Sequence, residues 1–235
     1  DAGTLGVLAG QLGLIASYAT DHPNLPYLVK LNSKTNLVNT SQADPISLAL
    51  DDVSSAVFLA ESGVNVVGVG YTVYLGSEHE AVMLAEASRA IREAHRHGMI
   101  SVLWMYPRGK AVADEKNPQL ISGAAGVACC LGADFTKVNQ PASFGDMDQF
   151  ESLGVAVEAA GRTGVICSGG SRKPVVDFLD DLWHQVNVAG CRGAATGRNI
   201  HQKPLDEAVR MCAACHAIIC GGSSVEEGLA IYHGK

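Results

Sequence analysis

Apolar residues recur along this chain in two alternating rhythms. Short runs rich in β-branched and aromatic residues read as buried strands. Longer runs with apolar positions three and four apart read as helices. Strand-type runs lie at 27–32 (YLVKLN), 65–75 (NVVGVGYTVYL), 99–107 (MISVLWMYP), 133–139 (ADFTKVN) and 164–168 (GVICS). A first strand is expected at 4–9 and a last one at 192–196. Helices are expected at 11–20, within 44–62, and at 78–97, 118–131, 146–161, 174–189, 205–219 and 225–232. Pro45 opens the second of these, since proline suits the first helical turn. The helix at 78–97 is the best marked, with acidic residues early, Arg and His late, and Gly98 as a stop. Residues 33–43 read as a polar loop, and Gly68 and Gly70 as sites of close approach or a bulge.

Seven strands alternating with helices over short connections imply a parallel sheet covered by helices, an α/β fold in one domain spanning 1–235. A closed (β/α) barrel, which typically has eight strands in about 250 residues, fits this pattern. An open doubly wound sheet fits it as well. Either architecture binds ligands at the C-terminal ends of its strands. Polar residues cluster there in this chain: Lys30, Asn32, Tyr71, Tyr74, Trp104, Tyr106, Lys137, Asn139, Ser168 and Arg198.

Composition narrows the partners. Of 235 residues, 47% are apolar and 17% charged, which is the balance of a globular core. A net charge of -7 and the absence of a basic run speak against a nucleic-acid partner. A local anion site needs only a few backbone amides and one or two cations. No apolar run approaches the ~20 residues of a membrane span, so no membrane partner is expected. The apolar stretch 5–19 has no positive segment before it, as a signal peptide would. Seven cysteines, mostly in apolar small-residue surroundings, point to a reducing, cytoplasmic compartment. The histidines show no metal-ligand spacing, so neither a metal nor a cofactor is expected. Cys212-Ala-Ala-Cys215-His216 matches a c-type haem string, but it sits in an apolar-periodic helix and reads as packing.

The candidate chemistry centres on Lys137, at the end of a strand whose alternate positions read Phe135, Lys137, Asn139. A desolvated lysine with a lowered pKa is what Schiff-base chemistry requires. The alternative is a rim lysine snorkelling to solvent. Tyr106 and Trp104 share a face of the preceding strand; the phenol suits proton transfer beside an imine, or the pair simply caps the sheet. Lys30 occupies the equivalent place on the second strand. Ser168-Gly169-Gly170-Ser171 and Gly197-Arg198-Asn199 follow successive strands. Glycines there leave N–H groups open to an anion, Arg198 adds charge, and barrel phosphate sites often lie at these last loops.

Taken in order, Leu28-Val-Lys-Leu-Asn32, Tyr71-Thr-Val-Tyr74 with Gly76-Ser77, Trp104-Met-Tyr-Pro-Arg-Gly109, Gly132-Ala-Asp-Phe-Thr-Lys-Val138, Ser168-Gly-Gly170 and Gly197-Arg-Asn199 carry a family resemblance. The chain resembles, over essentially its whole length, the class I fructose-bisphosphate aldolases of the archaeal type. That family also holds related phospho-sugar aldolases and transaldolases. The resemblance implies a (β/α)8 TIM barrel and a metal-independent lyase cleaving fructose 1,6-bisphosphate. It gives Lys137 the Schiff base with the dihydroxyacetone phosphate moiety and Tyr106 a proton transfer. Trp104 and Arg108 become neighbours in the substrate pocket, with Arg108 a candidate for the second phosphate. Gly169, Gly170, Gly197 and Arg198 match the phosphate loops. It also implies a homo-oligomer.

The 31 positions between Tyr106 and Lys137 favour the aldolase branch over the aminodideoxyheptulosonate-synthase branch. A phospho-sugar transaldolase or thiolase on the same scaffold, or a barrel fragment with a structural role, are the competing readings. The family's first strand ends in Asp-His-Gly or Asp-Gln-Gly, whereas this chain begins at the second. The expected architecture is therefore a barrel lacking its first strand and helix in this sequence. Asp21-His22-Pro23 imitates that segment from a helix-to-strand loop, so the aspartate's role is not carried onto Asp21. After Lys137 the chain reads Val-Asn-Gln-Pro, where a second lysine and an aromatic are commoner.

Overall fold

The computed structural model describes residues 5–35, 37 and 43–235. Its strands are β1 (Leu8–Gly10), β2 (Tyr27–Lys30), β3 (Val66–Leu75), β4 (Ile100–Pro107), β5 (Phe135–Val138), β6 (Gly164–Ser168) and β7 (Gly193–Ala195). They form one sheet in chain order, and every neighbouring pair is parallel. A doubly wound sheet reverses its strand order at a switch point, so sequential order removes that alternative.

The sheet also curls. Lys34, just after β2, and Gly197, just after β7, line one cavity. In a flat sheet they would stand about 24 Å apart, five strand spacings of about 4.8 Å. The result is a barrel-like arc of seven parallel strands, and β1 and β7 are not paired among the described residues.

The helices are α1 (Leu12–Tyr18), α2 (Val53–Glu61), α3 (Glu80–Arg96), α4 (Pro118–Leu131), α5 (Gln149–Ala159), α6 (Val175–Asn187), α7 (Arg198–His201), α8 (Leu205–Gly221) and α9 (Val225–Tyr232). Their ends follow local chemistry. Asn117 caps α4 by accepting from the N–H groups of Gln119 and Leu120, and Gly132 closes it in the left-handed region. Asp148 and Glu151 form a reciprocal capping box on α5. None of the helices is long and apolar enough to cross a membrane among the described residues.

Burial alternates along β4, β5 and β6. Outward positions such as Leu103, Met105, Thr136, Val138, Val165 and Cys167 are buried beneath the helices, while inward Trp104, Tyr106, Phe135, Lys137, Ile166 and Ser168 are half-buried. The apolar core therefore lies between sheet and helices, and the concave face carries the chemistry.

Two expectations change. The first strand begins at Leu8, and Thr4 lies outside the described residues. The helix expected within 44–62 begins only at Val53, because Asp52 takes the cap by accepting from the Ser55 N–H. The segment before it is an extended strap whose polar groups are already engaged. Asp44 accepts from the Lys110 N–H at 3.0 Å, the Pro45 carbonyl accepts from Ser77 Oγ at 2.8 Å, and the Ser47 carbonyl accepts from Asn32 Nδ2 at 2.8 Å. The sequence reading also missed α7, which begins at Arg198.

Candidate active site

Four inward rows of side chains build the site, and the two-residue period of strands sets each row. On β3, Gly70, Thr72 and Tyr74 share the concave face; on β4, Trp104 and Tyr106 lie beside them with Arg108 just beyond. A side chain at position 70 would collide with the Trp104 indole, so glycine there lets the ring lie across β3. Lys30 crosses above that ring, its Nζ 5.2 Å from the ring centroid, and donates to Thr72 Oγ1 at 2.8 Å. On β5 comes Lys137, whose Nζ donates to Tyr106 Oη at 2.9 Å. The Tyr106 and Tyr74 rings lie 6.3 Å apart.

A cavity of about 450 Å³ opens over these rows, lined by Lys34, Tyr74, Tyr106, Arg108, Lys137, Asn139, Ser168, Gly169, Gly170, Ala195, Gly197 and Arg198. Eight of the ten predicted site residues thus meet there. Trp104 and Lys30 do not line it; they pack one layer deeper. Asn32 leaves the site altogether: it is fully buried and its amide pairs with the Thr72 backbone at 2.7 and 2.9 Å, extending the ladder. Tyr71 points outward to Glu86 on α3. Asp21 is exposed in the turn before β2, at the opposite end of the strands from the cavity.

Of the other cavity residues, Tyr74 and Asn139 stand among the polar residues expected at the strand ends but carried no assigned role, and Lys34 and Ala195 were not nominated. The two-residue period from Gly70 through Thr72 to Tyr74, and from Lys137 to Asn139, carried the signal for two of them. Lys34 follows the strand, where no periodicity applies.

Electrostatics set the protonation states. Burial lowers Lys137 to about 8, and the Arg198 guanidinium pushes the same way. The Cys167 thiol would oppose them only as a thiolate, and burial holds that thiol up at about 12. Lys30 is likewise lowered to about 8, by burial and then by Lys137. Tyr106 is raised by burial, with Tyr74 adding to it, so it is a protonated phenol at neutral pH. The site thus holds an amine that gives up its proton readily against a phenol that keeps its own.

Cations ring this pair. Lys34 Nζ stands 5.4 Å from the Tyr74 ring centroid, and the Arg108 guanidinium 5.9 Å from it. Arg108 also grips the Glu115 carboxylate with two hydrogen bonds of 2.5 Å. On the far side, Gly169, Gly170, Gly197 and Arg198 face the same space.

Among the described residues, no three His, Cys, Asp or Glu side chains converge where they could hold a metal ion. All seven cysteines are free, and Cys215 of the haem-like string packs into the core between α6, α8 and α9.

Comparison with known proteins places this geometry. A family model described as DeoC/LacD family aldolase matches residues 2–203. A relative from Methanocaldococcus jannaschii, named fructose-bisphosphate aldolase/6-deoxy-5-ketofructose 1-phosphate synthase, is 58% identical over 227 residues, 96% of this chain and 72% of its own. The structure of a fructose-bisphosphate aldolase from Slackia heliotrinireducens superposes with a TM-score of 0.95 at 56% identity, covering 99% of this chain and 74% of that one. An archaeal fructose-1,6-bisphosphate aldolase, solved with its catalytic lysine bound to a carbinolamine intermediate, superposes with a TM-score of 0.77 at 33% identity, over 90% of this chain and 77% of that one.

Proposed function

The chain belongs to the DeoC/LacD aldolase family, and on that premise we propose that it is a class I fructose-bisphosphate aldolase, a lyase that works through a lysine imine. The observation that carries the proposal is the half-buried Lys137–Tyr106 pair, 2.9 Å apart, in a cavity ringed by cations.

The neutral Lys137 amine attacks the C2 carbonyl of fructose 1,6-bisphosphate and forms a carbinolamine. Loss of water gives the iminium, which withdraws electrons from C3. The C4 hydroxyl then gives up its proton to water in the cavity, the C3–C4 bond breaks, and glyceraldehyde 3-phosphate leaves. Its electron pair resides in the enamine. Tyr106, kept protonated by burial, is the proton donor to C3, and water releases dihydroxyacetone phosphate from the restored iminium. The iminium does the electron withdrawal that a Lewis-acid metal would otherwise supply.

Ser168, Gly169, Gly170, Gly197 and Arg198 take one phosphate; Arg108 takes the other once it yields Glu115. Trp104 and Lys30 shape the floor. The finer architecture is a (β/α)8 barrel. What supports it is the unpaired β1 and β7 edges among the described residues and the greater length of the relatives. Self-association, implied by the family resemblance, belongs to the same reading and is checked by native mass.

Borohydride with dihydroxyacetone phosphate is expected to attach a three-carbon adduct to Lys137, read by peptide mass spectrometry. Unmodified Lys137 in enzyme that turns over would sink the proposal. A second reading follows from the double name of the M. jannaschii relative: the same enamine, offered another aldehyde, forms a different C–C bond. A panel of acceptor aldehydes separates the two.

A further inference from the structure

Asn199 is a buried polar side chain beside the cavity that the aldol steps above do not use. It is only 2% exposed and lies in α7, directly behind Gly197 and Arg198. Its amide reaches across to the other glycine loop. Nδ2 donates to the Gly169 carbonyl at 2.8 Å and the Ser171 carbonyl at 3.2 Å, while Oδ1 accepts from the Lys173 N–H at 3.1 Å. Both amide donors and the acceptor are thus satisfied on backbone groups. The orientation follows from that network, since a flipped amide would set its oxygen against two carbonyls.

These bonds have a consequence for the loop's N–H groups. In a trans peptide the C=O and the following N–H point in opposite directions. Drawing the Gly169 and Ser171 carbonyls toward Asn199 turns the Gly170 and Arg172 N–H groups the other way. Gly170 has a φ of 64°, the left-handed turn from which anion-binding concavities of successive N–H groups are built. Neither the Gly170 nor the Ser171 N–H has a hydrogen-bond partner among the described residues. The loops also abut directly: the Gly169 N–H donates to the Ala195 carbonyl at 3.1 Å, and a side chain at position 169 would run into Thr196.

We propose that Asn199 is the positioning residue for the substrate's phosphoryl group. It clasps the β6–α6 loop to α7 so that two glycine segments act as one anion cradle. The proposal rests on the phosphate-loop reading above and adds the part that holds those loops together.

Asn199→Asp keeps the size and one acceptor but sets a carboxylate oxygen against two carbonyls; Asn199→Ala removes the clasp. For each, borohydride trapping on Lys137 is measured with dihydroxyacetone phosphate and with unphosphorylated dihydroxyacetone. Inorganic phosphate serves as competitor. The half-saturating concentration of dihydroxyacetone phosphate and the inhibition constant of inorganic phosphate are expected to rise about tenfold to a hundredfold. Trapping by dihydroxyacetone is expected to change less than about twofold, because its path to Lys137 does not use the cradle. Equal loss with both ketones, or no change with either, would overturn the proposal. Equal trapping by both ketones in the unaltered protein would instead overturn the phosphate-loop reading. A readout without substitution guards against variants that fail to fold. Saturating inorganic phosphate is expected to slow amide hydrogen exchange in 169–173 and 197–199 together, and protection of one loop alone would overturn the single cradle.

Discussion

Tyr106 and Lys137 divide the labour between two residues whose ordinary pKa values nearly coincide. Burial separates them by acting on opposite charge types: it destabilises the ammonium and the phenolate alike, so the amine becomes easier to deprotonate and the phenol harder. The amine is ready as a nucleophile and the phenol as an acid. Tyr106→Phe should therefore slow proton return to the enamine, followed as solvent exchange at C3 of dihydroxyacetone phosphate, by about 10²–10⁴-fold. Imine trapping on Lys137 should stay within a few-fold of the parent. Comparable losses in both assays would make Tyr106 a binding group instead. Position on a strand was enough to nominate both residues. Asn199 was not nominated beyond its place in a motif, because its partners lie 26 to 30 positions away and no local pattern encodes them.

At the scale of elements, the sequence was legible where the period was clean. The boundaries of α4 and α9, and of β6, agree with the hydrophobic pattern to the residue. The pattern failed at the strap before α2. There, Leu48 reads as one of a helix's apolar positions together with Val53, Val57 and Leu59, yet it is exposed and lies outside the helix. What decides that segment is a set of long-range bonds to Ser77, Lys110 and Asn32, which no window of sequence contains. Gly68 and Gly70 were read as sites of close approach or a bulge, and both are close approaches: a Cβ at 68 meets the Ile100 carbonyl, and one at 70 meets the Trp104 ring and Leu28. Gly70→Ala should cost about 1–3 kcal/mol, the usual range for overpacking, measured as a lower urea midpoint at unchanged slope. Adding Trp104→Leu should recover part of that loss. A neutral Gly70→Ala would show that the indole does not lie where the geometry puts it.

For the whole molecule, the curl of a sheet in chain order gathers Lys34, Arg108, Lys137 and Arg198 onto one concave face. Lys34 and Arg198 reach solvent and Arg108 is paired with Glu115, so the load of desolvated positive charge on the folded state falls on the lysines set deeper in the site. Two lysines make that load visible. Lys30 and Lys137 are lowered to about 8 when folded, against about 10.4 when unfolded. Below about 8 both states hold the protons, and the folded protein carries the buried charge. Between about 8 and 10 the folded state has shed protons that the unfolded state retains, so stability rises with pH across that window. Denaturant midpoints at pH 7 and 9.5 should show the rise, and Lys30→Met with Lys137→Met should flatten it. A midpoint that falls from pH 7 to 9.5 in the parent would contradict the lowered lysines.

The indole lying across Gly70 has one more use. The chain has two tryptophans, Trp104 under the cavity and Trp183 in α6, where it meets His184 edge-on. The two sit in different layers of the fold. Replacing Trp183 with Phe leaves a single tryptophan, its ring beneath Lys30, and its emission, excited beyond the tyrosine band, becomes an optical gauge of what enters the space above.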